Sequence, residues 1–161
     1  MQIVLVHPEI PPNTGSVGRL CAATDTELVL VKPLGFSLAD KYLKRAGLDY
    51  WPWIRLTVTE DWAEAVRGPG RTWAFTTSAT RAYTDADFGP EDRLVFGRES
   101  VGLEPEILAA IPESQHLLIP MVNPNVRSLN LAQCVAITLM EARRQLALTA
   151  TKPTAGASEA P

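Results

Sequence analysis

The chain has little of the residue chemistry that builds disulfide or metal scaffolds: two cysteines and two histidines among 161 residues. Cys21 and Cys134 each fall within an apolar helical pattern, which suits buried free thiols better than a disulfide or a metal pair. His7 and His116 offer no ligand pair, and no metal is expected. No apolar run approaches the roughly 20 residues that span a bilayer. Met1 to Val6 lacks a basic segment and meets His7-Pro8 too early for a secretory signal, so it reads as a first strand. A cytoplasmic location fits this cysteine usage.

Two nucleotide-binding signatures are missing as well. Gly15 and Gly18 follow Asn13 without the spacing of a dinucleotide-binding turn, and no Gly-Lys-Ser/Thr run occurs. Internal repeats are also lacking. Nor is there an excess of positive charge: 15 Lys and Arg against 18 Asp and Glu leave a net charge of −3. That balance argues mildly against nucleic-acid binding, but the placement of cations can overrule their sum. Lys41, Lys44 and Arg45 fall at helical spacing in one segment, while Arg19, Arg98 and Arg127 lie at three candidate loops.

What is present is an alternation of short apolar runs with segments of helical period. Strands are predicted at Ile3–Val6, Leu28–Val31, Leu56–Val58, Trp73–Thr76, Leu94–Phe96 and Leu117–Ile119. Helices are predicted at Thr14–Ala23, Ala39–Ala46, Trp62–Val66, Glu106–Ala110 and Leu129–Leu146. Such alternation implies an α/β domain with a parallel sheet flanked by helices. The length suits one domain, placed at residues 1–148, with 149–161 expected to be a disordered tail. The last helix carries Leu131, Val135, Leu139 and Ala142 on one stripe, widened by Ala132, Ala136 and Met140. So broad an apolar face calls for the sheet and a second partner surface, which predicts a homodimer.

Three polar, turn-prone segments follow apolar strands. Pro8-Glu9-Ile10-Pro11-Pro12-Asn13-Thr14-Gly15 leads to Arg19. Phe96-Gly97-Arg98-Glu99-Ser100-Val101-Gly102-Leu103 is the second, and Ile119-Pro120-Met121 followed by Arg127-Ser128-Leu129-Asn130-Leu131-Ala132 is the third. Read locally, Asn13 and Ser128 are helix caps, and Gly97 and Gly102 permit close backbone approach or positive φ. In order and spacing these segments resemble the motifs of the SPOUT superfamily of RNA methyltransferases. The resemblance is strongest to its small tRNA ribose 2′-O-methyltransferases, and it extends to Asp40–Tyr50 and to about Leu148.

The resemblance implies a C-terminal trefoil knot, which physical rules alone would disfavour. It also implies a homodimer, S-adenosyl-L-methionine as cofactor, and a tRNA anticodon stem-loop as substrate. The expected reaction is methylation of the wobble ribose of cytidine or modified uridine, with leucine tRNAs the expected substrates. By the same resemblance, the cofactor lies among three loops near Phe75, Gly97, Gly102, Ile119, Met121 and Ser128. Arg19 would stabilise the developing oxyanion, since a guanidinium is a poor base. Glu99 would hold Arg19, Asn13 or the ribose. Ser128 would lie near cofactor and ribose, and Asn130 would order its loop. Lys41, Lys44, Arg45 and Arg127 are candidate RNA contacts, and Tyr50, Trp51 and Trp53 could stack on an exposed base or pack within the protein. Relatives acting on another tRNA ribose or on ribosomal RNA usually carry added N-terminal RNA-binding sequence, which this chain is expected to lack. The rival readings are 2′-O-methylation of another tRNA or ribosomal RNA ribose, and a noncatalytic RNA-binding module.

Overall fold

The computed structural model describes residues 1–38 and 50–150. The predicted helix at Ala39–Ala46, with Lys41, Lys44 and Arg45, lies outside the described residues.

Among the described residues six strands form one all-parallel sheet in the order β3-β2-β1-β5-β4-β6. They are β1 (Gln2–Val6), β2 (Glu27–Val31), β3 (Leu56–Thr59), β4 (Thr72–Phe75), β5 (Arg93–Phe96) and β6 (His116–Leu117). Each coincides with a predicted strand to within two residues at either end. Strand alternation sorts the apolar side chains onto two faces. Ile3, Leu5, Leu28, Leu30, Leu94 and Phe96 face one way; Val4, Val6, Val29, Val31 and Val95 face the other.

The face of larger side chains is covered by α1 (Pro11–Thr24), through Val17 and Cys21, and by α4 (Leu131–Ala150), through Val135, Leu139 and Ala142. The valine face is covered by two short helices, α2 (Trp62–Ala65) and α3 (Pro105–Ala109), with Leu103 and Ile111 beside them. The predicted stripe on α4 is therefore the buried one. Ile137 and Met140, one turn apart on the same helix, remain exposed.

Two helix starts differ from their predicted positions by two residues or more. The first helix begins at Pro11 with Ile10 at the cap position, so Asn13 sits inside the helix and caps nothing. Two consecutive prolines are tolerated there because the first helical N–H groups have no intrahelical partner. The last helix begins at Leu131, and its cap is Asn130, whose side-chain oxygen accepts from the N–H groups of Ala132 (2.9 Å) and Gln133 (3.4 Å). Ser128 is exposed and is not the cap. The same helix runs past the predicted Leu146 to Ala150, so Thr149 belongs to it; residues 151–161 lie outside the described residues. Among the described residues no helix is long and apolar enough to cross a membrane.

Burial pushes the Cys21 thiol up to about 12, so almost no thiolate exists near neutrality. Cys21 is expected to resist a disulfide reagent in the native protein at about pH 8 and to react once guanidinium unfolds the chain. Rapid labelling of native Cys21, located by peptide mass mapping, would contradict this packing.

Candidate active site

All six strands point their C-terminal ends the same way, and at that edge the loops after β4, β5 and β6 meet the N-terminus of α1 and the start of α4. They enclose a cavity of about 490 Å³. Its apolar lining includes Phe75, Phe96, Leu117, Ile119, Met121 and Leu131. Phe75 and Phe96, the last residues of adjacent-strand neighbours β4 and β5, stack with ring centroids 4.7 Å apart and planes 8° from parallel.

The loop after β5 is built around its two glycines. Arg98 and Gly102 exchange both backbone hydrogen bonds, at 3.0 and 2.9 Å, closing a small antiparallel bridge. Gly102 holds φ at +77°, which a side chain would strain. Gly97 lies so close to the returning strand that a Cβ there would stand 2.1 Å from the Gly102 carbonyl carbon. The bridge projects Glu99 toward α1. Glu99 Oε2 accepts from the Glu9 N–H at 2.8 Å, and Oε1 accepts from the Ile10 N–H at 3.3 Å and from Asn13 Nδ2 at 3.0 Å. Asn13 Oδ1 in turn accepts from Asn130 Nδ2 at 2.9 Å. One hydrogen-bonded chain, Glu99 to Asn13 to Asn130, thus ties all three sequence motifs together. Asn13 is 8% exposed, so an unpaired amide there would be costly.

Every donor facing Glu99 is an N–H, a pattern only a carboxylate satisfies at both oxygens. Glu99→Gln is expected to turn one of these contacts into two opposed donors and to lower stability by about 1–3 kcal/mol. Urea unfolding of the variant at neutral pH measures it; an unchanged midpoint would remove this role.

The loop carries a second interlock that sequence reasoning did not assemble. Glu104 Oε1 lies 2.9 Å from Arg98 Nη2 and 2.9 Å from His7 Nδ1, with His7 in the left-handed region at φ 52°. Arg98 is thereby engaged within the protein and is not a free surface cation. The sequence signal was weak: three polar residues 97 positions apart at their extremes have no local pattern to link them.

The cavity gathers Asn13, Phe75, Gly97, Glu99, Gly102, Ile119, Met121, Ser128 and Asn130, that is, the expected cofactor residues with most of the expected catalytic ones, together with Arg127, expected as an RNA contact. Phe96, Leu117, Thr76, Thr77 and Cys134 also line it and were not anticipated there. The strand ends Phe96 and Leu117 were readable as positions bordering the motif loops; Cys134 was not, having been read only as a buried thiol within an apolar helical pattern. Arg19 is the exception. It is exposed on α1, outside the cavity lining, with its Nη2 donating to Tyr50 Oη at 3.1 Å and its guanidinium 4.5 Å from the centre of the Tyr50 ring. Glu99 therefore holds Asn13 and the backbone of Glu9 and Ile10, not Arg19. Among the described residues no group of three or more potential ligands could hold a metal ion.

Residues 1–140 match the family model described as the SpoU rRNA Methylase family. The chain belongs to the SpoU methylase family. Its parallel sheet and flanking helices match those of solved SPOUT methyltransferases. A relative from Saccharophagus degradans, named tRNA (cytidine(34)-2′-O)-methyltransferase, is 45% identical over 93% of this chain and 98% of its own. A solved structure described as giving structural insights into the 2-OH methylation of C/U34 on tRNA is 46% identical, with a TM-score of 0.85 over 91% of this chain and 95% of that one. A rRNA methyltransferase from Sinorhizobium meliloti, solved with AdoMet bound, is 25% identical with a TM-score of 0.80. That likeness covers 90% of this chain but 56% of the other. The three motif segments of this chain converge on its cavity.

Proposed function

We propose that the protein transfers a methyl group from S-adenosylmethionine to the 2′-oxygen of the wobble nucleotide of tRNA, cytidine or modified uridine. The observation that carries this reading is the convergence of the loops after β4, β5 and β6, with Asn13, on one cavity. The near full-length likeness to relatives named for cytidine 34 directs it to the wobble position.

The residues fit the cofactor. A cavity of about 490 Å³ lies within the range of small-molecule sites, and its apolar walls with main chain in tight loops suit an adenine ring. Phe75, Gly97, Gly102, Ile119, Met121 and Ser128 would hold it. Bound there, the cofactor supplies an electrophilic methyl on a sulfonium. We place the chain from the Gly97 loop onward in a trefoil knot, with α4 closing the cavity.

The chemistry left to the protein is to orient the ribose and to stabilise charge on its 2′-oxygen as the hydroxyl proton leaves. Asn13, Glu99, Ser128 and Asn130, which line the cavity, are the residues we assign to orienting the ribose. Arg19 supplies the guanidinium for the developing oxyanion and the neighbouring phosphate. Because Arg19 lies outside the cavity of its own chain, we assign it to the cavity of a second copy in a homodimer. Exposed Ile137 and Met140 on α4 supply apolar surface for that contact.

Incubation with methyl-tritiated S-adenosylmethionine and either bulk tRNA or ribosomal RNA from a strain lacking wobble ribose methylation tests the reading. Tritium in tRNA alone is the expected result. Tritium confined to ribosomal RNA would replace the substrate, and transfer to neither RNA despite cofactor binding would favour a noncatalytic module.

A further inference from the structure

We infer that Trp53 is a stacking surface for an unpaired base of the RNA substrate, an inference that rests on the proposed tRNA reading. Trp53 is 76% exposed, an unusual state for so large an apolar residue. It is not exposed for want of order in its backbone. Trp51–Trp53 is a 3₁₀ turn stiffened by Pro52, in which Trp53 N–H donates to Tyr50 C=O at 2.9 Å and Ile54 N–H to Trp51 C=O at 3.2 Å. Ile54 anchors the turn to α1: a Cβ on Gly18 would stand 2.8 Å from Ile54 Cδ1, so the missing side chain is what admits the isoleucine.

Side chains three apart on a 3₁₀ turn eclipse one another, which aligns Trp53 with Tyr50 on one side. Tyr50 is the residue that holds Arg19, by both its hydroxyl and its ring. Among the described residues Arg19 forms no salt bridge, so no described carboxylate cancels its charge. An open indole beside a guanidinium that no described carboxylate pairs with matches a nucleotide, with a flat apolar base and an anionic phosphate. The expected ligand is therefore a single-stranded nucleotide next to the one being methylated, held by stacking with little choice of base.

Affinity of the full chain for an anticodon stem-loop RNA tests this, with wild type, Trp53→Ala and Trp53→Phe compared. Trp53→Ala is expected to bind roughly tenfold or more weakly, Trp53→Phe to recover most of the loss, and both to bind S-adenosylmethionine normally. Saturating RNA should quench part of the wild-type tryptophan fluorescence, and that part should vanish in Trp53→Phe. Wild-type RNA affinity in Trp53→Ala, while the wild type methylates tRNA, would overturn this inference alone. Dissociation of Trp53→Ala into single chains by light scattering would assign the indole to a contact between copies, which also overturns it. A wild type that neither binds nor methylates tRNA would remove the inference together with the proposed function.

Discussion

Arg19→Ala is expected to slow methyl transfer by about 10²–10³-fold, the scale of losing one pre-organised donor to a developing oxyanion, while S-adenosylmethionine binds as before. The two effects separate because Arg19 lies outside its own chain's cavity, paired with Tyr50. Neither wall nor floor of the cofactor site depends on it. Arg19→Lys keeps the charge but loses the planar fork, so it should recover only a fraction of the rate. Single-turnover kinetics with saturating cofactor, alongside calorimetric titration of the cofactor, distinguish the cases. Unchanged turnover would remove the catalytic assignment, and a parallel loss of cofactor affinity would place the guanidinium in the cofactor site instead.

The second large effect is expected at Gly97. An added methyl would stand 2.1 Å from the Gly102 carbonyl carbon and 2.2 Å from both the Gly102 oxygen and the Leu103 nitrogen. These are backbone atoms locked by the two hydrogen bonds of the Arg98–Gly102 bridge, so no side chain can swing aside. Gly97→Ala must therefore open the bridge or displace β5. It is expected to abolish measurable cofactor binding and to lower stability by at least about 3 kcal/mol, at the upper end of overpacking costs. Thermal unfolding with and without S-adenosylmethionine measures both. A variant with wild-type melting and a normal cofactor-induced shift would show that the loop is not closed as described. Gly102→Ala provides a contrast: nothing lies within 4 Å of its added carbon, so its cost is confined to the backbone strain of φ +77°.

Much of this architecture is legible in the residues themselves because the sheet is buried on both faces. Val4, Val6, Val29 and Val31 on one face and Ile3, Leu5, Leu28 and Leu30 on the other leave few alternatives to parallel strands between helices. The glycines of the second motif also carried their own signal, since Gly97 and Gly102 each meet one of the two conditions that call for glycine. Helix starts were less legible. Asn13 has the residue type of a cap, but the prolines before it extend the helix and bury its amide against Glu99. Ser128 lost the corresponding role to Asn130, whose single side chain both caps α4 and reaches Asn13.

The site itself divides in the same way. Which residues gather at the cavity followed from the family resemblance, whereas how they are wired depended on contacts between segments far apart in sequence. Glu99 reaches Asn13 across 86 positions and Asn130 reaches Asn13 across 117. No local period encodes such pairings. The position of Arg19 is the clearest case. Its motif membership suggested a partner in Glu99, but a helix of 14 residues carries it away from the cavity mouth and onto Tyr50.

The most direct test of the central claim is to locate the methyl group. Anticodon-loop RNA from tRNA treated with the protein and S-adenosylmethionine should be digested and sequenced by mass spectrometry. A gain of one methyl on the ribose of the wobble nucleotide, with the flanking phosphodiester resistant to alkali, is the predicted result. A methyl on a base, or on a ribose elsewhere in the RNA, would contradict the account.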